Sequence, residues 1–327
     1  MAAYTTIDDP EAYFQVALYT GNYSTQTITL PGDTDMQPDM IWIKERGGTS
    51  SHALQDSVRG TGKKLMPNSL DAESDETVYI TAFNSDGFSI GANNGINQDG
   101  VANVAWCWKE SATSGFDIVT YTGNATARTI AHSLSAVPKF IIVRRRAAST
   151  NWSTYHVGTG NGHSDPLNEG EAPTDSTSFW NDTTPTSSVF TVGTISNTNN
   201  DGSAMIAYLF AEKQGFSKFG KYTGNGNDDS PFIYLGFRPA YVMYKPVDAT
   251  DNWEIHDNKR DTFNPMDTLL YANLTNAESS PGGTTDRLDF LSNGFKILDS
   301  GGHINTSGNT YIYMAFAEAP FVNSNGV

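Results

Sequence analysis

The chain has 327 residues, of which 36 are acidic and 20 basic, leaving a formal charge of −16; neutralising phosphates needs clustered Lys and Arg, so this balance argues against nucleic-acid binding. With 38% hydrophobic and 12% aromatic residues it has material for real cores, which sets disorder aside. No apolar stretch approaches the roughly 20 residues that cross a bilayer, so no membrane insertion is expected.

Cys107 is the only cysteine, so neither a disulfide framework nor a Cys-based metal site is expected. The opening MAAYTTIDDPEAYF lacks a basic region followed by an apolar run and does not read as a secretory signal. A protein acting outside cells without one leaves by another route, such as lysis.

In chain order, one set of landmarks recurs three times. YTGN begins at Tyr19, Tyr121 and Tyr222. A proline then opens an apolar run: Pro38-DMIWIK, Pro138-KFIIVR and Pro239-AYVMYK. SDGFSIG, SSVFTVG and SNGFKIL follow, each succeeded by an Asn-rich turn, NQDG to Gly100, NNDG to Gly202 and NTSG to Gly308. Each copy closes on an aromatic strand: VAWCWKE to Glu110, IAYLFAE to Glu212 and YMAFAE to Glu318. The division is an N-terminal arm, 1–13, repeats at 14–115, 116–215 and 216–321, and a C-terminal tail, 322–327. The joins are too short for beads on flexible tethers, so neighbouring repeats should pack closely. Whether they form a row or close on themselves stays open.

Within a repeat the period is two, in segments rich in Val, Ile, Tyr and Phe and broken by Gly, Asn, Asp and Pro, the grammar of strands and turns. About seven strands per repeat predict an all-β chain of three tandem β-sandwich, jelly-roll-like units. One short helical turn is allowed between Pro265 and Asn276. The arm reads either as an attachment segment that orders on docking or, more plainly, as a frayed terminus.

An active site is needed once, so a residue present in every copy reads as a requirement of the fold. Glu110, Glu212 and Glu318 are expected to cap backbone groups at strand ends. Tyr19, Tyr121 and Tyr222 read as core or turn anchors, with Gly21, Gly123 and Gly224 supplying backbone freedom. A second set repeats only in part: His52, Trp152 and Trp253, then Asp56, His156 and Asp257, then Arg59, Thr159 and Arg260. A recurrent Asp–Arg pair holding a turn, or a variable surface loop, outweighs a catalytic His/Asp pair. Arg144-Arg145-Arg146 ends a predicted strand and reads as a solvated edge.

The six histidines are scattered without zinc-binding spacing, and neither a nucleophile elbow nor a phosphate-cradling loop is present. The NQDG and NNDG turns carry oxygen ligands suited to calcium, and hairpin geometry explains them equally well. No catalytic residue, metal or cofactor is assigned.

The YTGN, SNGF and YIYMAFAEAPF pattern, from about Phe14 to Phe321 and clearest in repeat 3, resembles the tandem-repeat virion structural proteins of marine tailed bacteriophages. That resemblance implies a virion component, often tail-fibre-like, made in the host cytoplasm and released by lysis. It implies partners among other virion proteins and copies of itself, with a trimer as the expected homo-oligomer, but carries over no site residues. On this reading a tail fibre or spike subunit contacts the host by binding, with aromatics stacking on cell-surface glycan. Trp152, Trp180 and Trp253 are the candidate surface aromatics, each weighed against a buried role in packing. Two other readings remain open: a capsid decoration or tail adaptor protein, and a glycan depolymerase with two carboxylates in a cleft.

Overall fold

The strand Met40–Glu45 is buried at all six positions. Successive side chains of a strand point to opposite faces, so it must be covered on both. Met40 and Trp42 enter one core, Ile41 and Ile43 another. The computed structural model describes residues 5–279 and 287–320, and the two-sided burial organises all of it.

Each repeat is built on one large antiparallel sheet. In repeat 1 the order is Phe14–Thr20, Ala102–Trp108, Met40–Glu45, Ala53–Asp56. Repeat 2 repeats it with Phe116–Thr122, Ala204–Ala211, Pro138–Arg145 and Ser153–His156. Repeat 3 uses Ser217–Thr223, Thr310–Pro320, Phe237–Pro246 and Glu254–Asp257, and adds Leu270–Tyr271 at the edge.

A smaller sheet covers the outer face. In repeat 1 it is Gln26–Ile28, Gly87–Ile90 and Ile80–Asn84, with Ile28, Ile80, Phe88 and Ile90 packed on Ala17, Ile41, Ile43, Ala105 and Cys107. These seven strands form the expected sandwich, and a two-residue ladder, Lys63–Lys64 with Ser74–Asp75, lies outside it. Repeat 2 keeps only Arg128–Ala131 and Val189–Val192. Beside them the one-turn helix Thr177–Trp180, capped by the Ser176 side chain, drives Phe179 and Trp180 into the core.

The inner faces of the three large sheets meet in one shared core. At its centre Trp108, Phe210 and Phe316, equivalent residues of the three repeats, contact one another with ring centroids 5.7–6.3 Å apart. The repeats therefore close around a pseudo-threefold axis and do not form a row.

Two expectations are corrected. The arm is not frayed over residues 5–13: Ile7 joins the shared core, and the Thr5 hydroxyl donates to the Gln214 carbonyl at 2.6 Å. Residues 1–4 and the tail, 322–327, lie outside the described residues. No helical turn forms between Pro265 and Asn276, where the chain instead makes the strand Leu270–Tyr271. Its partner Glu254–Asp257 offers a free ladder there, and edge pairing satisfies more backbone groups than an isolated turn.

Candidate functional site

The partly repeated residues are not a surface loop. His52, Trp152, Trp253, Asp56, His156 and Asp257 are all buried, and they tie each repeat to a neighbour in a cycle. His52 Nδ1 accepts from Trp42 Nε1, which leaves Nε2–H to donate to the Tyr271 and Leu274 carbonyls of repeat 3 at 3.0 and 3.1 Å. Trp152 Nε1 donates to the Met66 and Ser69 carbonyls of repeat 1. Trp253 Nε1 donates to the Pro166 carbonyl of repeat 2.

A second cycle runs the other way. Asp56 Oδ2 accepts from Arg59 Nε at 2.5 Å and from the Tyr208 hydroxyl of repeat 2 at 2.7 Å. Asp257 Oδ2 accepts from Arg260 Nε at 2.6 Å and from Trp106 Nε1 of repeat 1 at 3.1 Å. In repeat 3 the residue equivalent to Trp106 and Tyr208 is Met314, which has no donor. An aspartate facing it would lose that partner, and repeat 2 carries His156 there, with Thr159 in place of the arginine. His156 Nε2 donates to the Tyr313 carbonyl at 3.0 Å. Burial pushes the imidazoles of His52, His156 and His256 down to about 3, 4 and 3, so they stay neutral near pH 7.

Arg144 is not a solvated edge. It is fully buried and donates to the Leu70 and Asp71 carbonyls of repeat 1, both at 2.6 Å. Lys44 and Lys245 occupy the same register and are buried as well. Arg146 grips Glu73 of repeat 1 through two nitrogens at 2.8 and 2.7 Å, and Arg46 grips Glu278 of repeat 3 at 2.7 Å twice. The third equivalent is Val247; across the contact between repeats 2 and 3 Lys245 lies 3.1 Å from the buried Asp165.

The signature tyrosines are anchors. The hydroxyls of Tyr19, Tyr121 and Tyr222 donate to the Ile96, Thr198 and Ile304 carbonyls, and their rings meet Phe88, Phe190 and Phe295 edge-on, each at 6.2 Å. Gly21, Gly123 and Gly224 are needed for closeness and not for freedom: a Cβ there would lie far inside contact distance of the Gln98, Asn200 and Thr306 carbonyl oxygens. Glu110 and Glu212 accept from the Ile118 and Phe219 backbone N–H groups, each the third residue of the following strand and not a strand end. Glu318 instead pairs with Arg238 at 2.6 Å.

Trp152, Trp180 and Trp253 are corrected as surface candidates, since none is more than 2% exposed. Their indole N–H groups all find backbone carbonyls, that of Trp180 at His163, so each ring fills core while its polar atom is satisfied.

An aromatic that does face solvent is Tyr23, in the turn after the first YTGN. It borders a shallow, open surface depression lined also by the exposed residues Asn22, Asn94, Gln98 and Asp99. Beneath lies buried Asn97, the first residue of NQDG. Its Oδ1 accepts from Asn22 N at 3.0 Å, and its Nδ2 donates to the Ser24 and Gly91 carbonyls at 2.7 and 2.8 Å. Asn199 and Asn305 make the same ties in repeats 2 and 3.

A family model described as a domain of unknown function (DUF7483) matches residues 9–320. The chain belongs to that family. The match takes in all three repeats. No curated protein matches the chain.

Sequence reasoning passed over Tyr23 and the buried asparagines, although both leave a signal. Asn97, Asn199 and Asn305 head the three Asn-rich turns. Tyr23 stands where the other copies have Ala125 and Gly226.

Proposed function

We propose that this chain is a structural protein of a tailed-bacteriophage particle, a tail-fibre or spike subunit that contacts the host surface by binding. The observation that carries the reading is the use of the buried polar groups: side chains at matched positions of the copies, identical or exchanged as at His156, lock three repeats into one body. Exposed turns such as that of Tyr23 take no part in that lock and are free to differ between copies. A rigid scaffold presenting variable turns separates stability from recognition. The likeness to virion tandem-repeat proteins covers the same span of chain. Its partners in this role are other particle proteins, further copies of itself in a homo-oligomer such as a trimer, and host-surface glycan, and it acts without a cofactor.

Gold-antibody labelling of intact particles of the source phage, viewed by electron microscopy, tests this. Label at the distal tail or on fibres is expected. Label scattered over the head would overturn the fibre reading in favour of a decoration protein. That second reading has its own observation: the edge strand Phe232–Tyr234 exposes Phe232 and Tyr234 where repeats 1 and 2 have Thr27, Thr29, Thr129 and Ala131, a face suited to another particle protein. Host-polysaccharide viscosity unchanged by the pure protein would set binding apart from depolymerisation.

A further inference from the structure

The backbone at Tyr23 is left-handed, with φ at 51°, and the equivalent Ala125 and Gly226 have φ at 55° and 65°. That conformation favours glycine and is costly for a bulky side chain. The turn itself therefore gives no reason for an aromatic ring, and two copies manage without one. Tyr23 is nevertheless 52% exposed, so packing does not account for it either. A sparsely populated conformation kept at an exposed aromatic points to use.

The surroundings say what that use is. The open depression beside the ring is lined by the polar residues Asn22, Asn94, Gln98 and Asp99. The frame beneath is locked: Asn97 ties the two turns together, and Asn93 Oδ1 accepts from the Gly95 and Ile96 N–H groups at 3.0 and 2.9 Å. In repeat 2 the residue equivalent to Gln98 is Asn200, whose amide is spent on the Asp201 carbonyl and the Ser203 hydroxyl. Among the described residues the exposed Gln98 amide has no such bond.

We infer that this open surface site binds one uncharged saccharide unit of a glycan. The Tyr23 ring offers a flat, faintly negative face to the C–H bonds of a sugar ring. The Asn94 and Gln98 amides supply donors and acceptors, the Asn22 Nδ2 group adds donors while its oxygen holds Ser24, and the Asp99 carboxylate accepts from hydroxyls. The formal charge of −16 and Asp99 itself repel acidic sugars. The inference deepens the host-contact reading and rests on it for the source of the glycan.

Saturation-transfer NMR on the full chain with methyl glycosides of glucose, galactose, mannose and N-acetylglucosamine tests it. Transfer to the ring protons of at least one is expected. Tyr23→Ala and Tyr23→Gly copy the residues of repeats 2 and 3, and each should weaken binding at least about tenfold, a change of roughly 1.4 kcal/mol. Their melting temperatures should hold or rise, because smaller residues fit this backbone better; a tyrosine kept for packing would lower them. Absence of transfer from every glycoside, or transfer that survives both substitutions, overturns the inference even where tail labelling upholds the host-contact reading. Transfer that depends on Tyr23 upholds it even where labelling falls elsewhere.

Discussion

Replacing Tyr208 by phenylalanine removes one oxygen atom from the contact between repeats 1 and 2. That oxygen donates to Asp56 Oδ2 at 2.7 Å and accepts from Arg59 Nη2 at 3.2 Å, and the residue is fully buried. Burial holds the phenol well above its ordinary pKa, so it is a donor at any working pH. A hydrogen bond to a charged group contributes about 1.5–3 kcal/mol. Asp56 keeps Arg59 Nε at 2.5 Å, so the cost should stay in that range and below the about 3–5 kcal/mol of leaving a buried charge alone. Unfolding entropy near 2.1 cal/mol/K per residue gives about 0.7 kcal/mol/K for this chain, hence a fall of about 2–4 °C in Tm. Denaturant titration and calorimetry read both quantities. Met314→Leu, at the equivalent position without a hydrogen bond, should cost under about 1.5 kcal/mol. A loss below about 0.5 kcal/mol for Tyr208→Phe, or no coupling to Asp56→Asn in a double-mutant cycle, would refute the idea that this contact ties the repeats.

All six tryptophans are at most 2% exposed, so the native emission should be blue-shifted and poorly quenched by acrylamide; ready quenching would show that one of them reaches the surface. Gly123→Ala forces a Cβ against the Asn200 carbonyl and should cost about 1–3 kcal/mol, and a neutral result by denaturant titration would show that the turns separate at little cost. The carboxyl of Asp165 is pushed up to about 7 by burial, against the pull of Lys245, while its unfolded value is about 3.9. Between those values the folded state holds a proton that the unfolded state has released, so this group's contribution to stability is full below about pH 4 and is lost as pH rises to about 7. Asp165→Asn should remove that component of the pH dependence, and parallel stability profiles for the two proteins would count against it.

Much of the fold could be read locally. The short apolar runs in MIWIKE and FIIVRR, the prolines before them and the Asn–Gly and Asp–Gly turns all act within a few residues, so strands, hairpins and the threefold repeat are visible in the sequence alone. The candidate site was less legible. Trp152, Trp180 and Trp253 sit near turn residues and looked available for sugars, yet each belongs to a core assembled from distant strands. Arg144 follows an apolar run like any edge charge, and only the Leu70 and Asp71 carbonyls of the neighbouring repeat explain its burial.

The sequence by itself determined that the protein is all-β, that it holds three copies of one unit, and that residues shared by all copies serve the fold. The tertiary structure alone decided that the copies close around Trp108, Phe210 and Phe316, that His156 answers the missing donor of Met314, and that Tyr23 faces solvent. The reason is physical. Periodicity records that a strand is covered on one face or two, while the identity of the cover depends on contacts between residues a hundred or more positions apart, to which local pattern is blind.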